Sequence, residues 1–125
     1  MIRRPKDKRG TAHKRAPKQE KATAKRVGGC RVAWSGSKGE KGDVRVERVI
    51  RIETKNTTKK SFSVTREMVE KIETAALMSG EAPAIEIEFI NDEGKRIAAV
   101  AVVPTYVIDH LTNESNEQTK EKTQS

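Results

Sequence analysis

The chain has 125 residues, which is enough for one domain with a modest hydrophobic core. Only 34% of the residues are apolar, and no apolar run approaches the roughly 18 residues that a membrane span requires. The N-terminus lacks the apolar segment of a secretion signal, and the single cysteine, Cys30, excludes an internal disulfide and a cysteine-based zinc site. We therefore expect an intracellular, cytoplasmic protein without a membrane partner, with Cys30 buried beside Val27 and Val32.

The basic residues are concentrated at the N-terminus. Residues 1–26 contain 11 Lys and Arg against two acidic residues, whereas the remainder contains 15 basic and 16 acidic residues. A cationic segment without an apolar stripe is typical of an arm that contacts phosphates rather than of a membrane helix. We predict a flexible basic arm at 1–17 that contacts nucleic acid; a solvated tail without a partner is the alternative.

The first half of the domain is predicted to hold one helix and three strands. Good helix formers follow Pro17, which suits a first helical turn, and Gly28-Gly29 ends the run, so a helix is expected at 18–27. Alternating or apolar stretches then predict a short strand at 31–34, a loop at 35–42 and a hairpin of strands at 43–47 and 49–55.

The register of this hairpin decides which charges face each other. A three-residue turn centred on Arg48 sets Asp43 directly opposite Glu53. The same register sets Arg45 opposite Arg51, and like charges in such positions destabilise a sheet. A cation between the two carboxylates would reverse the sign of the first interaction, while a shift of one residue would remove both pairings.

The second half is predicted to continue with a helix, two strands and a closing helix. Helical spacing of apolar residues, an N-cap at Thr65 and a stop at Gly80 indicate a helix at 65–79. Residues 84–90 alternate and predict a half-exposed strand, whereas 97–103 is apolar throughout and predicts a strand covered on both faces, by helices and by a second subunit. A short helix at 104–111 and a disordered polar tail at 113–125 follow.

This order, α-β-β-β-α-β-β-α, predicts an α/β fold with a mixed sheet flanked by helices, in a domain spanning 18–112.

The candidate chemistry of this domain lies in three carboxylates and one lysine. Side chains alternate along a strand, so Glu53 and Lys55 share a face. Carboxylates such as Glu20, Asp43 and Glu53, with the carbonyl oxygen of Thr54, are suitable Mg²⁺ ligands, and Lys55 could orient the attacking water and offset charge on a phosphate.

Gly42-Asp43 followed by Glu53-Thr54-Lys55 resembles the motif of the PD-(D/E)xK nuclease superfamily, although the proline before the Asp is absent. The chain is most similar to archaeal-type Holliday-junction resolvases, whose relatives also occur in phages. Those proteins begin with a helix that carries a Glu, followed by a strand and a Ser/Gly loop. Here Glu20 lies in the predicted first helix, and Ser35-Gly36-Ser37 corresponds to the loop. The resemblance covers residues 18–111 and implies a restriction-endonuclease-like core.

The resemblance also implies a function. It predicts a homodimer that binds branched DNA and nicks two opposed strands of a four-way junction, using Mg²⁺, for which Mn²⁺ can substitute. Glu20, Asp43, Glu53 and the Thr54 carbonyl would hold the metal, with Lys55 beside the water. The residues expected to contact DNA are Lys14, Arg15, Ser35, Ser37, Lys38, Lys59 and Lys60.

Two alternatives remain from the sequence. One is another PD-(D/E)xK endonuclease acting on duplex or damaged DNA, although no long specificity insertion fits in this chain. The other is a non-enzymatic basic protein that binds nucleic acid through its arm, a class that has no need of carboxylates beside Lys55. His13 and His110 have no partner at ligand spacing, so both are expected to be structural or solvated.

Overall fold

The computed structural model describes residues 10–32 and 43–124, with side chains described as far as Glu117. Within these residues three helices and five strands follow one another in the predicted order, α-β-β-β-α-β-β-α, which is thereby confirmed. Their bounds are α1 Gly10–Val27, β1 Cys30–Arg31, β2 Val44–Val46, β3 Ile50–Thr57, α2 Arg66–Met78, β4 Ala82–Ile90, β5 Arg96–Val102 and α3 Thr105–Gln124. None of these helices is long and apolar enough to cross a membrane.

The five strands form one mixed sheet with the order β1-β2-β3-β4-β5. Strands β3 and β4 are parallel and are connected through α2, while the other neighbouring strands pair antiparallel. The predicted α/β class and mixed sheet are therefore confirmed. Helix α2 begins after the predicted N-cap, where the Thr65 hydroxyl accepts a hydrogen bond from the N–H of Met68 at 3.2 Å.

The hairpin of β2 and β3 adopts the register centred on Arg48. Val44 pairs with Ile52 and Arg45 with Arg51, and Arg48 takes the left-handed conformation with φ of 63°. Glu81 explains why two arginines can face each other here. Its buried carboxylate accepts hydrogen bonds of 2.9 Å from the Nε atoms of both Arg45 and Arg51, and one of 3.1 Å from the N–H of Arg48.

Each face of the sheet carries its own small hydrophobic core. On one face Ala24 of α1 packs with residues of β2, β3 and β4, namely Val44, Ile52 and Ala84. On the other face Ile72 of α2 packs with Ile85 and Ile87 of β4. Because β4 is an interior strand with a helix on each face, its alternate residues serve both cores.

The helices extend further than the sequence predicts. Helix α1 begins at Gly10 and contains Pro17 internally, so a flexible arm reaching residue 17 is wrong for residues 10–17. The start of α1 is fixed by tertiary contacts, since Thr11 donates to the carbonyl oxygen of Asp92 and Arg15 pairs with Glu88. Helix α3 continues to Gln124, so disorder from residue 113 is wrong as far as that residue. Residues 1–9 lie outside the described part of the chain.

The exposures of β4 and β5 are the reverse of the prediction. Glu86 and Glu88 of β4 are only 7% and 2% exposed, because arginines of α1 neutralise both carboxylates beneath the helix. Strand β5 lies at the edge of the sheet and is largely exposed in the described part of the chain: Ile97 is 69% exposed and Val100 is 47% exposed, while Val102 packs against the core on the α2 face.

Two further differences concern β1. Strand β1 begins at Cys30, and the N–H of Val32 donates to the carbonyl oxygen of Asp43 at 2.9 Å; residues 33 and 34 of the predicted strand lie outside the described residues. Cys30 is exposed, which corrects the expectation that it is buried. Both residues of β1 are exposed, because this strand forms the other edge of the sheet.

Candidate active site

Asp43 is held between two strands at the entry to β2. Its N–H donates to the carbonyl oxygen of Ile52 at 2.9 Å, and its own carbonyl oxygen accepts from Val32. The carboxylate oxygen Oδ2 accepts two hydrogen bonds from Thr54, from the backbone N–H at 2.8 Å and from the hydroxyl at 3.0 Å. No residue in the described segments donates to Oδ1, so one oxygen of an oriented carboxylate remains able to bind a cation.

Glu53 and Lys55 lie next to each other on β3, as the period of a strand requires. The Lys55 Nζ is 3.4 Å from Glu53 Oε1, and the two side chains are 40% and 27% exposed. In the sheet they are level with Ile85 and Ile87 of β4, which belong to the face that α2 covers. A carboxylate and an ammonium group therefore share a surface that solvent and a substrate can reach.

The hairpin register brings the two predicted metal ligands to adjoining positions. The paired residues end at Val44 and Ile52, so the next position along each strand is Asp43 on one and Glu53 on the other. Two carboxylates on neighbouring strands, with the backbone of Thr54 between them, are oxygen donors of the kind that hard divalent cations prefer. The donor chemistry fits Mg²⁺, and the register of the hairpin follows from the turn length. The Asp43 carboxylate contacts the hydroxyl of Thr54, which is level with Glu86 of the α1 face, whereas Glu53 is level with Ile85 of the α2 face.

Glu20 is placed differently from the other predicted ligands. Its carboxylate Oε2 accepts hydrogen bonds from Arg31, at 2.8 Å from Nη2 and 3.2 Å from Nε. It belongs to α1, which covers the face of the sheet that carries Ile52, whereas Glu53 is level with the core of the α2 face. In the described residues no three His, Cys, Asp or Glu side chains are grouped so as to hold a metal ion.

Gln19 connects α1 to the strand of the candidate site, and sequence reasoning missed it. The side chain is 1% exposed, and its Nε2 donates to the carbonyl oxygen of Lys55 at 2.9 Å and to Glu86 Oε1 at 3.4 Å. Its Oε1 accepts a hydrogen bond of 3.1 Å from Asn56. The only signal in the sequence is helical spacing, which puts Gln19 and Thr23 on the same face of α1.

Glu86 anchors α1 to β4 in its ionised form. Burial by itself raises the pKa of this carboxyl group, but hydrogen bonds from the Thr23 hydroxyl, at 2.6 Å, and from Arg26 outweigh it and hold the pKa below the ordinary value. Two residues along the strand, Glu88 accepts a bidentate pair of hydrogen bonds from Arg15, at 2.6 and 3.0 Å. These buried ion pairs fix the position of the helix.

The residues predicted to contact DNA fall into three groups. Lys14, Lys59 and Lys60 are exposed and able to reach a phosphate. Arg15 is instead committed to Glu88, whose hydrogen bonds raise the pKa of the guanidinium group. The three predictions in the Ser/Gly loop lie outside the described residues: Ser35, Ser37 and Lys38.

The histidines occupy the positions expected of structural or solvated residues. His13 is exposed on α1, and the Nε2 of His110 lies 2.9 Å from Glu114 Oε1, one helical turn along α3.

Comparisons of the chain with protein-family models, with curated proteins and with solved structures give no match.

Proposed function

We propose that this protein is a Mg²⁺-dependent endodeoxyribonuclease that cleaves four-way DNA junctions. The observation that carries the proposal is the hairpin register, whose last pair, Val44 and Ile52, adjoins Asp43 on one strand and Glu53 on the other, while Lys55 lies 3.4 Å from the Glu53 carboxylate. Two carboxylates and an ammonium group at one end of a hairpin are the groups that metal-assisted phosphodiester hydrolysis requires. A restriction-endonuclease-like core and membership of the PD-(D/E)xK superfamily are part of the same proposal.

Each residue has a distinct role in this proposal. Asp43, oriented by the two hydrogen bonds from Thr54, and Glu53 would hold the Mg²⁺ ion or a substituting Mn²⁺ ion, together with the Thr54 carbonyl oxygen. The metal would supply Lewis-acid activation of the phosphoryl group and a water of lowered pKa. Lys55 would donate to the phosphate oxygens as negative charge develops there. Glu20 is the weakest candidate ligand, because its carboxylate is bound to Arg31 and it belongs to the helix on the opposite face of the sheet from Glu53.

The DNA would be gripped by a basic loop next to this site. Lys59 and Lys60 follow the strand that carries Lys55 and are exposed. Contacts from such residues to phosphates give affinity without sequence readout, because the phosphates are the same at every base pair. Recognition of a branched shape rather than of a sequence is consistent with that chemistry.

The proposal includes a homodimer, since paired nicks on a junction need two active sites. Its structural support is β5, which is an apolar edge strand with no charged residue from Ile97 to Val102. An exposed, apolar edge presents unpaired backbone groups that readily pair with another chain. We propose that a second subunit covers this strand.

Cleavage assays on two substrates test the proposal. A labelled four-way junction and a linear duplex of the same sequence are incubated with purified protein in Mg²⁺, in Mn²⁺ and in EDTA. The proposal predicts symmetric nicking of the junction in both metals, little cleavage of the duplex and none in EDTA. Equal cleavage of both substrates would favour a duplex endonuclease, and binding without cleavage would favour a non-enzymatic nucleic-acid-binding protein.

A further inference from the structure

The basic residues of α1 fall into two groups according to their surroundings. Arg15 and Arg26 point towards the sheet and pair with Glu88 and Glu86. The remaining basic residues are all lysines, and all are exposed; together they form the lysine ridge, which consists of Lys14, Lys18, Lys21 and Lys25. Within the segments that the structure describes, no carboxylate lies within 4.0 Å of these four ammonium groups.

The spacing of the lysine ridge lines up its charges along the helix. Successive members are four, three and four residues apart, which at 3.6 residues per turn confines them to an arc of about 60°. The rise of about 1.5 Å per residue spreads them over about 17 Å. Like charges three or four residues apart destabilise a helix, so this arrangement is unfavourable for the helix by itself and favours an anionic partner.

The dimensions of the lysine ridge match a nucleic-acid backbone. A DNA strand carries one charge per about 3.4 Å of helix axis, so about 17 Å of duplex presents about five phosphates of one strand to four lysines. A membrane surface is a poorer partner, because interfacial helices need large apolar side chains beside their basic face. The face of α1 opposite the lysine ridge is already buried against the sheet through Gln19, Thr23 and Ala24.

We propose that the lysine ridge docks the sugar-phosphate backbone of one duplex arm of the DNA substrate. This inference rests on the proposed function for the identity of the polyanion. The hydrogen bond from Gln19 to the carbonyl oxygen of Lys55 joins α1 to the strand of the candidate site, while the Lys55 side chain lies on the opposite, α2 face of the sheet. Asp92 and Glu93 share a cleft with Lys14 and Lys18, so the other two lysines carry the cleaner test.

The test compares two double variants with the same change in net charge. K21Q/K25Q removes two lysines of the ridge, and R66Q/K71Q removes two exposed positive charges from α2. Glutamine keeps a high helix propensity. Binding of fluorescein-labelled duplex and four-way junction is measured by anisotropy in EDTA from 50 to 200 mM salt, with circular dichroism to verify the fold.

The expected result is a change in salt dependence confined to the lysine ridge. Removing two phosphate contacts should reduce the slope of log affinity against log salt by about 1.8 and weaken binding by roughly 60-fold at 0.1 M salt. The R66Q/K71Q variant should change the slope by less than about 0.5, since it makes no proposed phosphate contact. Equal slopes for the two variants would overturn the inference, as would wild-type protein that binds phosphatidylserine vesicles but not DNA.

These outcomes are separable from those of the nuclease proposal, because binding in EDTA does not depend on cleavage. If the nuclease proposal fails, the Mg²⁺ assay shows no product while K21Q/K25Q still flattens the salt slope. If the lysine ridge fails, the junction is cleaved and the two double variants have the same salt slope.

Discussion

Gln19 of α1 donates a hydrogen bond of 2.9 Å from its side chain to the backbone carbonyl oxygen of Lys55 on β3. Thirty-six residues separate the two in the chain. The contact connects the helix that carries the lysine ridge with the strand that carries the candidate lysine, and Gln19 is only 1% exposed. A buried amide in such a position stabilises the fold only while its hydrogen bonds are made.

Replacement of Gln19 by Met should therefore lower the free energy of unfolding. Methionine has a similar shape but no polar atoms to contact the Lys55 carbonyl, Asn56 and Glu86, so a cost of about 1–3 kcal/mol is expected. Urea denaturation measures the effect, with the exposed Lys18→Met on the same helix as the control. Identical midpoints for the two variants would mean that the buried hydrogen bonds contribute nothing to stability.

Glu86 should make stability depend on pH in the acid range. Its pKa is lower in the folded protein than the ordinary value of 4.5, so its contribution is fully present above about pH 4.5 and is lost as the pH falls through the folded-state pKa. The difference in unfolding free energy between wild type and Glu86→Gln should be largest near pH 7 and should shrink below pH 4.5. Denaturation from pH 7 to pH 3 measures it; a difference that stays constant contradicts the assignment.

Glu81 should be needed for the hairpin register. Arg45 and Arg51 face each other across the hairpin, and Arg51 is only 2% exposed. Without the charge of Glu81, these two guanidinium groups would lose the carboxylate that they share. We expect Glu81→Gln to cost about 3–5 kcal/mol, the usual range when one partner of a buried ion pair is removed. Thermal or urea unfolding against the exposed control Glu67→Gln tests this, and a loss no greater than that of the control would show that the arginines are not held by Glu81.

Much of the fold follows from local signals. The order of elements, the N-cap at Thr65 and the turn centred on Arg48 each depend on a few neighbouring residues and on the period of a strand or helix. For the same reason Glu53 and Lys55 were correctly expected on one face of β3. The register that ends with Val44 opposite Ile52, next to Asp43 and Glu53, also follows, because it depends only on the length of the turn.

The parts that could not be predicted depend on partners distant in the chain. The alternation of β4 indicates an exposed acidic face, but Arg15 and Arg26 lie 73 and 60 residues before their partners Glu88 and Glu86. A buried ion pair and an exposed charge look the same in a sequence. The composition of β5 predicts burial, yet Ile97 and Val100 are exposed among the described residues. An apolar sequence does not reveal whether the cover of a strand comes from the same chain.

Strand β5 should determine the oligomeric state. If a second subunit covers this edge, sedimentation velocity at micromolar concentrations should give a dimer for wild type and a monomer for Val100→Lys, because a buried unpaired ammonium group opposes association. Thr74→Lys, which adds the same charge on the exposed face of α2, should remain dimeric. A wild-type protein that sediments as a monomer contradicts the dimer in the proposed function.

The central claim is that Asp43, Glu53 and Lys55 form a metal-dependent nuclease site, and single-turnover cleavage of a four-way junction in Mg²⁺ tests it most directly. The account predicts that Asp43→Asn, Glu53→Gln and Lys55→Met each slow cleavage on the order of 10²–10⁴-fold while junction binding in EDTA stays within about threefold of wild type. Asp109→Asn, an exposed carboxylate of α3, should cleave like wild type. Cleavage at the wild-type rate by the Asp43 and Glu53 variants would contradict the account.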